Sequence, residues 1–423
     1  MTNTSPEPLA YAACIGLDWA DKQHLICLQA ADSKRIETLT LQQKPEMLHD
    51  WLIGLRHRFG GRPVALAIEQ TRGAVIHALL RYDFVHIYRV PPKSLARYRE
   101  AMHASYAKDD PSDAALLLEW AQFHRDKVRV WVPDSPQSRA LARLVEFRRK
   151  AVNDRVRVGN KLTQLLKESF PQALDWAGSL DTLMACDFLD RWPSLSMLQR
   201  ARTKSLQQFY YQHHCRNSAA IQERIQEIRS AVALTHDPAV LETSALMVRM
   251  LVAELRVLIR QIQPLEREIE QRFRQHPDQE IFDSLPGAGA ALAPRLAVAL
   301  GTDRSRFASA VEVQQYSGIA PVTRRSGKSC CVLHRWAAPK FLKQSFHEFA
   351  ANSIPKCPWA KAYYETMLQK GNKHHAAVRS LAYKWIRIIY RCWKDRILYD
   401  EMTYLKALSR RHSPVLQRLA PAA

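Results

Sequence analysis

The chain has no apolar run near the roughly 20 residues that a bilayer-spanning helix requires, so nothing in it serves as a membrane span. Its first residues, MTNTSPEPLAYAA, show neither a basic n-region nor a long apolar h-region, and a cytoplasmic location is the expectation. Cysteines occur at 14, 27, 186, 215, 330, 331, 357 and 392 and nowhere form CxxC. That argues against a disulfide framework and against a standard zinc knuckle. Two looser groupings, Cys330 with Cys331, His334 and Cys357, and His213 with His214 and Cys215, depart from the usual zinc spacings. Ordinary packing is the better reading of these cysteines. Acids are in short supply: 41 Asp and Glu face 62 Lys and Arg, a net charge of +21. Such a balance favours a polyanionic partner, above all nucleic acid. No single cationic amphipathic segment stands out, which weakens a membrane-surface role.

What is present is enough for a large core. The 423 residues are 47% hydrophobic, which suits two or three domains. The positive charge is clustered. Residues 139–167 hold nine Lys or Arg against two acids, and residues 321–423 hold twenty against five. In the second tract aromatics are interleaved, as in YKWIRIIYRCWKDR at 383–396. Arg, Trp and Tyr together suit phosphate contact and base stacking; a basic surface over buried aromatics is the alternative.

The first part of the chain alternates strand and helix patterns. Apolar runs at 11–20, 24–30 and 35–41 read as strands, the first two as a possible hairpin. Residues 45–59 have helical periodicity and are closed by Gly60 and Gly61. A short buried strand at 63–70 ends at Glu69, followed by a helix, a strand at 84–90 and two helices. The predicted order is β-β-β-α-β-α-β-α-α. From about 136 the pattern is helical, with a long basic helix or helix pair at 139–170. Val248, Leu251, Leu255, Leu258, Ile262, Leu265 and Ile269 form a heptad seam, which pairs either within the chain or between copies. Pro264 should kink that segment or mark its edge. Beyond it, LPGAGAALAPRLAVAL at 285–300 places Gly287 and Gly289 in a turn before an apolar helix. Such a turn can offer backbone N–H groups to phosphate, and this one resembles half of a helix-hairpin-helix.

One short stretch runs against the charge of the rest. KDDPSDA at 108–114 crowds three acids around a proline. Pro111 suits the first helical position, with Asp110 as the N-cap and Asp113 in the first turn. The same spacing places Asp110 and Asp113 on one helical face, where they could hold a divalent metal. The stretch alone leaves both readings open. Asp18 at the end of the first strand and Glu69 at the end of the fourth complete a layout similar to that of ribonuclease-H-like nucleases, whose acids converge at one sheet edge. Four carboxylates brought together need a cation, and divalent ions can in turn clamp a phosphodiester.

The tracts IGLDWADK, AIEQTRG and KDDPSDA resemble the DEDD signature of the IS-one-ten family of insertion-sequence transposases, which are bridge-RNA-guided recombinases. LPGAGAALAPRLAVALGTDRSRF and YSGIAPVTRRSGK resemble that family's C-terminal domain, and five ordered motifs are far more specific than one. Asp109 stands where the family usually has Thr, and RWAAPKFLKQSF at 335–346 departs from its common Arg-Gly-Asn version. The resemblance implies an α/β plus all-α chain in three parts. These are a ribonuclease-H-like (RuvC-like) domain at 10–130, a helical, coiled-coil linker at 136–275, and a mainly helical transposase domain at 280–410. It further implies that Asp18, Glu69, Asp110 and Asp113 bind Mg²⁺, with Mn²⁺ as a substitute. Ser326 would be the nucleophile forming a phosphoserine link, with Arg324, Arg325 and Lys328 stabilising the phosphate. The implied partners are donor and target DNA, a noncoding guide RNA from the same element, and further copies of the chain in a tetramer built from dimers. Candidate backbone contacts are Arg148, Arg149, Lys150, Arg155 and Arg157 on the basic helix. Two rivals use the same residues differently: a metal-dependent, structure-selective nuclease resembling a Holliday-junction resolvase, and a nucleic-acid-binding protein without catalysis.

Overall fold

A computed structural model of the chain describes residues 10–69, 73–102, 110–327 and 329–413. It falls into two units, Met1–Pro133 and Asp134–Ala423. The first contains strands β1 (Ala13–Asp18), β2 (Gln23–Ala30) and β3 (Glu37–Gln42), then helix α1 (Pro45–Arg58), β4 (Val64–Ile68), α2 (Ala74–Leu79), β5 (Val85–Arg89), α3 (Pro92–Met102) and α4 (Asp110–Phe123). This is the element order predicted from the pattern. The five strands form one sheet in the order β3-β2-β1-β4-β5. β1 runs antiparallel to β2, with Asp18 opposite Leu25, and parallel to β4, with Leu17 opposite Ile68. Strand β1 alternates its side chains between the two faces. Ile15 and Leu17 join Val64, Leu66 and Ile68 in the core beneath α1 and α2. Cys14 and Ala67 lie on the other face, with Leu116 and Leu117 of α4. Helix α1 starts with Pro45, carries Glu46 in its first turn and Arg56, His57 and Arg58 in its last, and ends before two glycines at positive φ. Helix α4 begins at Asp110, the expected cap position, one residue before the predicted first helical residue, Pro111.

The second unit is mainly helical. Its first helix, α5 (Pro136–Ser169), is a single rod capped by Ser135, whose side chain accepts from the Ser138 N–H. Short helices follow: α6 (Ala173–Trp176), α7 (Leu183–Arg191), α8 (Leu195–Arg200), α9 (Thr203–Gln212) and α10 (Ser218–Ser230). The long α11 (Pro238–Arg274) is capped by Asp237. It runs through Pro264 rather than stopping there. Proline removes one helical N–H, and burial of Ile259, Ile262 and Ile269 on either side holds the helix across the gap. The heptad seam packs within the chain, shifted from the predicted stripe. Val248 and Leu255 of the seam, with Val252 and Ile259 beside it, are buried with Val158, Leu162 and Leu166 of α5, while Leu251 and Leu258 are only partly buried. Ser138 meets His276 and Arg148 meets Glu266, so both positions change by ten in opposite senses and the pair is antiparallel. The remaining elements are α12 (Gln279–Asp283), α13 (Gly289–Leu300), α14 (Ala310–Tyr316), the hairpin β6 (Val322–Ser326) and β7 (Ser329–Leu333), α15 (Lys340–Ser353), α16 (Pro358–Gln369), α17 (His374–Asp395) and α18 (Glu401–Arg410). Trp359, Trp385 and Trp393 are fully buried at their centre. The buried reading of the C-terminal aromatics therefore holds for Trp385 and Trp393, which are not available to stack on bases. No described helix is long and apolar enough to cross a membrane.

Candidate functional site

Two groups of predicted residues occupy distinct places, one in each unit. In the first unit, Asp18 ends β1 and Glu69 directly follows β4. These strands are parallel neighbours, about 4.8 Å apart, with Leu17 opposite Ile68, so both acids lie at the same sheet end. Alternation also fixes the face of Asp18. It follows Cys14 and Gly16 at steps of two, on the face that α4 covers. Glu69 leaves the sheet one residue beyond β4, after Ala67, which packs under α4.

The contact that seats α4 there is a glycine. A Cβ placed on Gly16 would lie 2.1 Å from the Ala114 carbonyl oxygen and 2.3 Å from the Leu118 nitrogen. Only a residue without a side chain lets the helix backbone come so near the strand. Ala114 follows Asp113, and Gly16 is two residues before Asp18, so the close approach carries Asp113 towards the acid end of the sheet. Asp113 is 2% exposed. The side chain of Asp110 and the whole of Asp109 lie outside the described residues.

A buried carboxylate needs a cation or several donors, and Asp113 has one in Arg99. Arg99 Nε donates to Asp113 Oδ1 at 2.8 Å, and Nη2 donates to the same oxygen. The guanidinium is itself mostly buried. Tyr98 latches the same pair of helices, its hydroxyl donating to Glu119 at 3.1 Å. The sequence reading missed Arg99. Its signal was faint: a buried acid demands a base, but nothing in the pattern says which of the nearby arginines supplies it.

In the second unit, Ser326 is the last residue of β6 and pairs with Ser329 of β7. Gly327, at φ +54°, opens the two-residue turn as such hairpins require. Lys328 lies outside the described residues. From Thr323 to Ser326, and throughout β7, the hairpin is exposed. An isolated two-stranded ribbon is marginally stable alone. Alternation places Arg324 on the Ser326 face and Arg325 on the opposite one. Arg324 stands opposite Cys331, and Arg325 opposite Cys330. Cys330 and Cys331 are exposed while Cys357 is buried. Among the described residues, no group of three or more His, Cys, Asp or Glu could hold a metal.

The basic helix spends much of its charge inside the chain. Arg148 pairs with Glu266, Arg149 with Glu348 at 2.8 Å, Arg155 with Asp181 at 3.4 Å and Arg157 with Asp154. Lys150 lies over the Phe147 ring. Gly287 has a structural reason of its own: a Cβ there would lie 2.6 Å from the Asn352 carbonyl oxygen. Gly289, which opens α13, has open space around its Cα.

Two family models match the chain. An IS110 DEDD model, described as transposase, covers residues 15–171, and the model described as Transposase IS116/IS110/IS902 family covers residues 279–365. The chain is 28% identical to the IS117 mini-circle protein of Streptomyces coelicolor, over 96% of this chain and 98% of that protein. It is 24% identical to the 42 kDa protein of insertion element IS900 of Mycobacterium paratuberculosis, over 93% and 99%. The 43.6 kDa protein of insertion element IS110, also of Streptomyces coelicolor, is 25% identical over 82% of this chain and 85% of that protein.

Proposed function

The chain belongs to the IS110 family of transposases, DNA-processing enzymes, and we propose from that premise that it cuts and rejoins donor and target DNA through a serine-linked intermediate. The observation that carries this reading is the shared sheet end of Asp18 and Glu69, with the Asp113 helix drawn onto the Asp18 face of the sheet through Gly16. The strand order, with an antiparallel β1-β2-β3 meander and parallel β4 and β5, supports a ribonuclease-H-like reading of the first unit. In the second unit, the turn before α13 supports a helix-hairpin-helix-like reading.

Asp18, Glu69, Asp110 and Asp113 would hold Mg²⁺, or Mn²⁺ in its place. Their hard oxygen donors suit such an ion, and the burial of Asp113 calls for a positive partner, a place that Arg99 fills in this structure. When bound, the ion neutralises charge on the scissile phosphate. Ser326 Oγ would attack phosphorus, and the bond from phosphorus to the leaving deoxyribose oxygen would break, that oxygen departing with a proton. The hydroxyl of another strand would then attack the phosphoserine and return the serine. One phosphodiester is broken and one formed, so no external energy source is needed. Arg324 shares a face with Ser326 and would stabilise the charge on the phosphate; Arg325 and Lys328 would hold neighbouring backbone. We propose that the acids of one copy work with the serine of another in a tetramer, and that a noncoding guide RNA from the element supplies sequence selection by base pairing.

The test is adduct trapping. The protein is coexpressed with its native flanking DNA, incubated with labelled donor and target duplexes and Mg²⁺, and denatured. Label on the protein that disappears with a chelator is the expected result. Cleaved DNA without an adduct would point to a water-using nuclease, and intact DNA in the presence of guide RNA would leave only binding.

Arg99 gives a second test, independent of activity. Arg99→Ala leaves Asp113 buried without its cation, a change that costs about 3 kcal/mol or more. The variant should melt well below the parent in chelator, and Mg²⁺ should raise its melting temperature more than it raises the parent's. An equal Mg²⁺ shift in both proteins would show that Arg99 does not stand in for a metal at Asp113.

A further inference from the structure

The segment after β7 is pinned on both sides of one outward-facing ring. Arg335 Nε donates to the Ala320 carbonyl at 3.3 Å, and Lys343 Nζ donates to the Arg335 carbonyl at 3.2 Å. Three residues on, Ala338 sits so close to Gly318 that a Cβ on Gly318 would lie 2.3 Å from the Ala338 Cβ. Between these anchors Trp336 is 85% exposed, the most exposed large apolar side chain among the described residues. Its ring meets His334 edge-on, with centroids 5.0 Å apart and planes at 85°. A large apolar ring held in water by a fixed backbone is an unused contact surface.

The side chains behind it carry positive charge without a matching anion. Arg379 Nη1, from α17, approaches His334 Nδ1 at 2.8 Å, and Lys343 Nζ, from α15, approaches Nε2. A neutral imidazole has one acceptor nitrogen, so one of these cations faces an N–H. Among the described residues, no ion pair reaches Arg335, Lys343 or Arg379. Burial, and then the charges of Lys343 and Arg379, hold His334 below the usual imidazole range. Burial and Arg379 lower Lys343 in the same way. The cluster is under-neutralised, and a phosphate would supply the missing acceptors and negative charge.

We infer that His334, Arg335, Trp336, Lys343 and Arg379 form a binding site for one unpaired nucleotide of single-stranded DNA, its phosphate on Lys343 and Arg379 and its base stacked on Trp336. This rests on the proposed function and specifies its substrate. DNA is favoured over RNA because the site adjoins the Val322–Leu333 end of the hairpin that carries Ser326. Four residue steps separate that end from Ser326, about 13 Å at roughly 3.3 Å per residue. That is about four base steps of a stacked duplex. An unpaired base is therefore held a short distance from the reacting phosphate, as strand exchange requires.

The full-length protein is titrated against a fluorescein-labelled single DNA strand, the RNA of the same sequence and the matching duplex, with anisotropy as the readout. Trp336→Ala should weaken single-stranded DNA binding about five- to a hundredfold, change duplex binding less than about twofold, and be largely rescued in Trp336→Phe. Lys343→Gln and Arg379→Gln should each lower the salt slope for single-stranded DNA by about 0.7. Arg379→Gln should not lower the melting temperature of the free protein, because it relieves like-charge crowding; Lys343→Gln also removes the donor to the Arg335 carbonyl and is read by its salt slope alone. A merely structural role would instead lower melting temperature and leave the slope unchanged. Unchanged single-strand binding by Trp336→Ala, or an equal loss on strand and duplex, overturns the site. A loss confined to RNA overturns the choice of DNA. If the parent binds none of the three probes, the transposase reading falls with it, whereas a parent that binds and a Trp336→Ala variant that binds equally bring down this site alone.

Discussion

Ser326→Ala is expected to abolish the covalent adduct and to lower strand joining by roughly a thousandfold or more, the scale on which an enzyme that forms a covalent intermediate loses activity without its nucleophile. The same change should leave folding and DNA affinity intact. Ser326 is exposed at the last pair of the β6-β7 hairpin. Its pairing with Ser329 is made by main chain, and the turn is opened by Gly327. A surface substitution of this kind usually moves stability by about half a kcal/mol at most. The combination is the signature: full binding, a parental melting temperature and no adduct. Ser326→Cys, which keeps a nucleophile at that position, should retain some adduct. Asp18→Asn should also lose cleavage, but by weakening metal binding, so excess Mn²⁺ should restore part of it while leaving Ser326→Ala unchanged. Measured by denaturing gel over a time course, cleavage by Ser326→Ala at the parental rate would mean that water attacks the phosphate, and the phosphoserine reading would be abandoned.

The first unit was legible because its signals are local. Short apolar runs in IGLD and VALAI mark buried strands, Pro45 and Gly60–Gly61 bracket a helix, and each acid sits at the end of its element. Motif order then ties these elements to one chemistry. What could not be read depends on partners distant in sequence. Arg148 and Arg149 looked available to nucleic acid, yet their acids, Glu266 and Glu348, come from α11 and α15. Trp385 and Trp393 have the composition of a stacking surface and the burial of a core. The periodicity of α17 already held the answer: the apolar positions at 378, 381, 382, 385, 386, 389 and 393 repeat at three and four, and the basic residues lie between them. Of the two roles read for Pro264, the edge does not hold, because its neighbours are anchored by packing that outweighs one lost hydrogen bond. The His334, Lys343 and Arg379 cluster draws on the end of a hairpin and on two helices, and no linear pattern announces it.

Gly16→Ala should be far more damaging than the same change at an open glycine of the first unit. All three atoms nearest the added Cβ, at 2.1, 2.3 and 2.9 Å, are backbone of α4. No flexible side chain can swing aside. Ordinary contact begins at about 3.4 Å, so helix and strand must separate by about an ångström. Overpacking of this kind costs about 1–3 kcal/mol and sometimes more. The displacement also carries Asp113 away from the sheet end that holds Asp18 and Glu69, and an ångström of misplacement at a reacting centre can cost about a hundredfold in rate. Gly54→Ala is the control. Gly54 lies on the exposed face of α1, and an added Cβ there meets nothing within 4 Å. Alanine should therefore stabilise that helix by up to about 1 kcal/mol. Thermal melting and strand-joining assays on the two variants separate the cases: Gly16→Ala should melt lower and react slowly, while Gly54→Ala should melt slightly higher and react like the parent. A Gly16→Ala protein that melts and reacts like the parent would mean that α4 does not rest on β1. The placement of Asp113 beside the strand acids, on which the proposed metal site depends, would then be lost with it.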